Sequence, residues 1–130
     1  NLWYNTAMEI KKKILLVEDD EMLASVYRAR LEMEGFDVYE VHDGEQALSS
    51  AIAYRPDLIL LDAMMPKISG FDVLDILKNT PETMNITVIM LTALSQAKDK
   101  ERAESLGVDE YLVKSQVVIS GRTSSPSSWT

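Results

Sequence analysis

Apolar residues along the chain fall into short unbroken runs, separated by longer stretches in which they recur at helical spacing. The run around which the rest is organised is Leu58 to Leu61, whose apolar filling suits a strand covered by helices on both faces of a parallel sheet. It stops at a carboxylate, Asp62. Pro66 and Gly70 then prevent a strand or helix from continuing, which places Asp62 at the strand's carboxyl end, facing a loop. Ligand chemistry in open α/β sheets sits at that edge, although an Asp after a strand also serves as a plain turn cap.

The same pattern repeats along the chain. A first strand over Lys12 to Val17 ends in Glu18, Asp19 and Asp20, and Asp20 caps a helix in which Leu23, Val26, Tyr27 and Leu31 recur until Gly35. A second strand, Asp37 to Val41, alternates polar and apolar residues as an edge strand does. Asp43-Gly44 turns into a helix with Ala47, Leu48, Ala51 and Ile52 on one face, ending before Pro56. Ser69 to Lys78 reads as the next helix, burying Phe71, Leu74 and Leu77, and 79–85 as loop. A fourth strand, Thr87 to Leu91, runs into Thr92. A mostly charged helix over Ala97 to Leu106 has few apolar anchors and ends at Gly107, and a short fifth strand, Tyr111 to Val113, delivers Lys114. Alternation of strands and helices at this spacing predicts an α/β fold with a parallel sheet and helices on both faces.

Composition narrows the class. The 130 residues suffice for one domain with its own core, and without cysteine the chain has no disulfides or thiolate metal sites. A cytoplasmic location is the expectation, since no stretch has the length and apolarity of a membrane span or signal peptide. With 21 acidic against 13 basic side chains the net charge is −8, and the only basic run is Lys11 to Lys13, so direct nucleic-acid binding by this chain is not expected. Residues 1–10 form a lead without periodic pattern, Met8 can serve as the natural start, 11–119 read as the folded domain, and 120–130 as a Ser-rich tail, disordered or foreign.

The chemistry lies in the residues that succeed each strand. Glu18 and Asp19, Asp62, Thr92 and Lys114 come after the first, third, fourth and fifth strands, and in a parallel sheet those ends share one rim. Three clustered carboxylates repel unless a proton or cation intervenes, and an oxygen-only ligand set with room for water and phosphate favours Mg²⁺ over Ca²⁺. A carboxylate beside such an ion, a lysine and a hydroxyl makes a phosphoryl acceptor: Asp62 attacks, Lys114 neutralises charge and Thr92 bonds the attached group.

Leu-Val-Glu-Asp-Asp, Leu-Leu-Asp-Ala-Met-Met-Pro with Gly70 downstream, Met-Leu-Thr-Ala and Tyr-Leu-Val-Lys, in that order, resemble the receiver domain of two-component response regulators over about 12–114. The resemblance implies a flavodoxin-like, doubly wound five-stranded parallel sheet of order 2-1-3-4-5, with Asp62 as phosphoacceptor. It also implies Mg²⁺ at Asp19, Asp62 and the backbone carbonyl of Met64, with Glu18 completing the acidic pair. Thr92 and Lys114 would contact the phosphoryl group, Tyr111 would be a switch aromatic coupled to Thr92, and the donor would be a sensor histidine kinase or a histidine phosphotransfer domain. The downstream output is not legible.

Two departures stand out. Ser115 occupies a position where the family commonly has proline, and the family's fifth helix is missing or truncated, because Gly121, Pro126 and six serines from Ser115 to Ser128 cannot sustain one. A second copy of the chain, giving a dimer, or the Leu2-Trp3-Tyr4 lead could cover the surface left open; a foreign tail is the simpler reading. Met64 and Met65 read as packing residues, and His42 as exposed. Two other classes share the residues in part. A haloacid dehalogenase-like hydrolase would need an acid/base two residues after the nucleophile, where Met64 stands, so turnover should be slow; a pseudo-receiver would lack Asp62, Asp19 or Lys114, and all are present.

Overall fold

A computed structural model describes residues 11–114. Strands and helices alternate through them: β1 (Lys13–Val17), α1 (Glu21–Met33), β2 (Asp37–Val41), α2 (Gly44–Tyr54), β3 (Leu58–Leu61), α3 (Gly70–Lys78), β4 (Thr87–Thr92), α4 (Ala97–Ser105) and β5 (Glu110–Val113). Three helices begin at side-chain caps: Asp20, Asp43 and Ser69 accept from the backbone N–H of Leu23, Gln46 and Asp72 at 3.1, 2.8 and 3.2 Å. α4 lacks such a cap at Gln96. The expected lead, tail, fifth helix and dimer surface, and the bond between Lys114 and Ser115, lie outside the described residues.

The strands form one parallel sheet in the order β2-β1-β3-β4-β5, with β2 at an edge as its alternation predicts. Central strands are buried on both faces, so successive side chains enter different cores. Leu15, Val17, Ile59, Leu61, Val88 and Met90 point to the side packed by Ala47 and Ala51 of α2, Phe71, Val73, Leu74 and Leu77 of α3, and Ala103 of α4. Ile14, Leu16, Leu58, Leu60, Ile89 and Leu91 point to the other side, packed by Ala24 and Leu31 of α1.

Two helical faces differ from expectation. Val26 is 60% exposed and Ile52 47% exposed. At roughly 100° per residue, Val26 lies nearly opposite the Ala24–Leu31 stripe on α1, and Ile52 lies well off the Ala47–Ala51 stripe on α2. Ala24, Ala47 and Ala51 are among the buried anchors, and their small side chains let the helices approach the sheet closely.

Candidate functional site

The site is built at the carboxyl ends of the strands. β1 and β3 are neighbours with Val17 opposite Leu61, so the next residues, Glu18 and Asp62, emerge side by side. Both are fixed through the backbone: Glu18 donates its N–H to Val41 and Asp62 donates its N–H to Val17, each at 3.1 Å. Both side chains are buried, whereas Asp19 is exposed, and one carboxylate oxygen from each of the three lies within 4.8 Å of the others.

Lys114, delivered by β5, reaches across the sheet end. Its Nζ donates to Glu18 Oε1 at 2.7 Å and to Asp62 Oδ2 at 3.1 Å. Burial pushes the Glu18 carboxyl up to about 7; the bond from Lys114 opposes this, the charge of Asp62 adds to it, and the Asp20 N–H, donating to Glu18 Oε2 at 3.2 Å, offsets a little. Burial alone would lower the Lys114 ammonium, but its bond to Glu18 and the charge of Asp62 outweigh that and leave it raised.

The loop after β3 holds Asp62 from the other side. Met64 donates its N–H to Asp62 Oδ1 at 3.1 Å. Gly70 donates its N–H to the Ala63 carbonyl at 2.9 Å, and a Cβ on it would lie 2.0 Å from the Asp62 carbonyl oxygen, so only glycine permits this approach of α3 to the end of β3. Contrary to the packing role expected for it, Met64 turns its side chain outward, 55% exposed, because its backbone is drawn to Asp62; Met65 packs against the core as expected.

Thr92 ends β4, fully buried, with its Oγ1 accepting from the N–H of Leu94 at 3.3 Å. The Tyr111 hydroxyl donates to the Leu94 carbonyl at 2.7 Å, so Thr92 and Tyr111 grip the same residue of the β4–α4 loop. His42, expected to be exposed, is half-buried and pairs with Glu40. Of the predicted site residues, Glu18, Asp19, Asp62 and Lys114 converge and Met64 reaches Asp62 through its backbone, while Thr92 and Tyr111 are joined through Leu94.

Beside the cluster, a groove of about 530 Å³ runs between the β3–α3 loop and α4, lined by Asp19, Met64, Phe71, Leu94 and Arg102 among others, and gives outside access to the rim. On the α1 side, Tyr27 lines a narrow crevice with Glu18 and Asp62. In the sequence Tyr27 is one more core position; its helical spacing carries no sign that this position abuts the acidic cluster.

The donor set fits a hard divalent cation. All three facing groups are carboxylates, no nitrogen or sulfur ligand joins them among the described residues, and the exposed Asp19 leaves one side open for water.

Comparisons with known proteins agree with this geometry. The response regulator receiver domain family matches residues 14–118. The transcriptional regulatory protein CpxR of Escherichia coli is 50% identical over 102 residues, 78% of this chain and 42% of CpxR. The DNA-binding dual master transcriptional regulator RpaA of Synechocystis is 41% identical over the same shares, so the chain spans less than half the length of these relatives. Among solved structures, the receiver domain of the sensor histidine kinase PA1611 from Pseudomonas aeruginosa, with magnesium coordinated in its active-site cleft, superposes with a TM-score of 0.75 at 28% identity, covering 92% of each chain. With the 2-1-3-4-5 sheet, the acidic rim and a family match over most of its length, this chain belongs to the response regulator receiver domains of two-component signalling.

Proposed function

We propose that the chain is a phosphorylation-controlled switch in which Asp62 accepts a phosphoryl group from a phosphohistidine on a sensor histidine kinase or histidine phosphotransfer domain. The observation that carries this is the bridge from Lys114 to both Glu18 and Asp62, which brings a cation donated by β5 against the carboxylates of β1 and β3. Glu18, Asp19, Asp62 and the carbonyl of Met64 would hold Mg²⁺. When bound, the ion supplies charge neutralisation on the phosphoryl oxygens and aligns them with Asp62.

Asp62 Oδ attacks phosphorus as the P–N bond to the donor imidazole breaks, and the electron pair leaves with a ring that carries a proton on its other nitrogen, so that it departs as neutral histidine. Lys114 is placed to transfer its bond from Asp62 Oδ2 to a phosphoryl oxygen. Thr92, now bonded within its own loop, would turn its hydroxyl to the same group, freeing Leu94 and with it Tyr111 and the start of α4. Met64 offers a thioether where a hydrolase would need a proton donor, so the aspartyl phosphate persists and turnover is slow.

The acidic surface disfavours nucleic-acid contact by these residues, so an output such as the transcriptional control named for the relatives would run through another segment or partner. The test is to weigh the protein after incubation with acetyl phosphate and Mg²⁺. One phosphoryl group is expected, absent after Asp62→Asn and absent with chelator; an unchanged mass in the unsubstituted chain refutes the switch.

A further inference from the structure

The acidic cluster has two sides. The groove along α4 gives access from outside, while among the described residues the side toward α1 holds a narrow crevice that Tyr27 lines from the helix. Tyr27 is half-buried, packs on the Ile14, Leu16, Leu60 and Leu91 core, and shares a narrow crevice with Glu18 and Asp62, the two carboxylates that hold Lys114. Its position on α1 puts it on the same stripe as Ala24 and Leu31, so the ring is held by the helix rather than by a loop. Among the described residues no hydrogen bond engages its hydroxyl, so the ring, not the phenol, is what the surroundings use.

We propose that Tyr27 is a positioning residue for Lys114: the ring fills the space behind the Glu18–Lys114–Asp62 bridge and confines the lysine to the side of the rim on which the phosphoryl group is received. The proposal rests on the phosphoacceptor reading. Burial and the nearby carboxylates raise the Tyr27 phenol, with Lys114 opposing them, in keeping with a neutral ring beside these three groups. A lysine side chain has four rotatable carbons, and a wall on one side restricts it at no cost in charge. Without the wall, the crevice becomes a second place for the ammonium to go, and the loss falls on the rate of the transfer step, which depends on alignment.

Three variants separate this role from general loosening: Tyr27→Ala, Tyr27→Phe and, one turn along the same face of α1, Leu31→Ala, whose buried side chain lies away from the rim. Two readouts are taken, the rate of phosphoryl uptake from acetyl phosphate in Mg²⁺ by mass spectrometry, and the side-chain ammonium signal of Lys114 by nitrogen-15 NMR without phosphodonor. Tyr27→Ala is expected to slow uptake about tenfold and to shift or broaden the ammonium signal, Tyr27→Phe to restore both, and Leu31→Ala to lower stability while leaving both near those of the unsubstituted protein. An unchanged ammonium signal in Tyr27→Ala, or an equal loss of rate in Leu31→Ala, overturns the inference. The NMR readout needs no phosphoryl chemistry, so it judges Tyr27 even if the unsubstituted chain takes up no phosphoryl group and the switch reading falls.

Discussion

Burial holds the Glu18 carboxyl at about 7 in the folded protein against an ordinary value of 4.5, so between those values the folded state binds a proton that the unfolded chain has released. This contribution to stability is therefore fully present below about 4.5 and is lost as pH rises through about 7. In chelator, urea unfolding from pH 4.5 to 7.5 should show stability falling by on the order of 2–3 kcal/mol from this group, and Glu18→Gln should flatten that part of the profile. An identical slope in the variant would mean that Glu18 ionises freely in the folded state. The acidic pair itself was legible, because Glu18 and Asp19 succeed an apolar run with no structural need for two carboxylates there. That Lys114 shares their rim was legible too, from its place after the fifth strand, whereas its bond to Glu18 was not, since it spans 96 positions and no local pattern encodes it. Met64 was misread for a related reason: sequence shows an apolar side chain, whereas the loop geometry is set by the backbone bond to Asp62.

At the scale of elements, the strands were readable almost to the residue because an unbroken apolar run between a charge and a turn, or the strict alternation of β2, has few alternatives. Helix faces were less readable. On α2 Ala47 and Ala51 are buried as expected but Ile52 faces outward; on α1 Leu31 is buried as expected, Ala24, which carries little weight in an apolar pattern, is the other buried anchor, and Val26 faces outward. The charged helix α4 has the few apolar anchors its sequence indicates: Ala103 is its only fully buried side chain and its amino end lacks a side-chain cap. The structure adds a second anchor, the Arg102 guanidinium stacked 4.3 Å from the centre of the Phe71 ring on α3. Such a contact contributes roughly 0.5–1 kcal/mol, equivalent to about a two- to fivefold change in local opening. Hydrogen exchange should therefore be faster in α4 than in α3, and Arg102→Ala should speed α4 by about that factor while leaving α3 unchanged. Equal rates in the two helices would remove α4 as the element proposed to repack on phosphorylation.

Over the whole molecule, the placement of polar residues after four strands was enough to foresee one reactive rim, because parallel strands leave all such ends on the same side. Fold and site thus came from one pattern, and their shared physical consequence is electrostatic. A protein of net charge −8 that draws three carboxylates within 4.8 Å has folded against its own repulsion, relieved in part by Lys114 and, below about pH 7, by a proton on Glu18. A cation bound only by the folded state would relieve it further, by about 2.7 kcal/mol at a hundredfold excess over its dissociation constant. For a domain of this size that corresponds to a rise of roughly 10 °C or more in thermal midpoint. Scanning calorimetry should show that rise on adding Mg²⁺, its reversal by chelator, and its loss in Asp19→Asn, where the exposed ligand is neutral. Because each carboxylate neutralised also lessens the repulsion, the metal-free Asp19→Asn protein should melt no lower than the unsubstituted one. A midpoint indifferent to Mg²⁺ in the unsubstituted protein would show that the rim is stabilised by Lys114 alone, and the proposed ion would have no place in it.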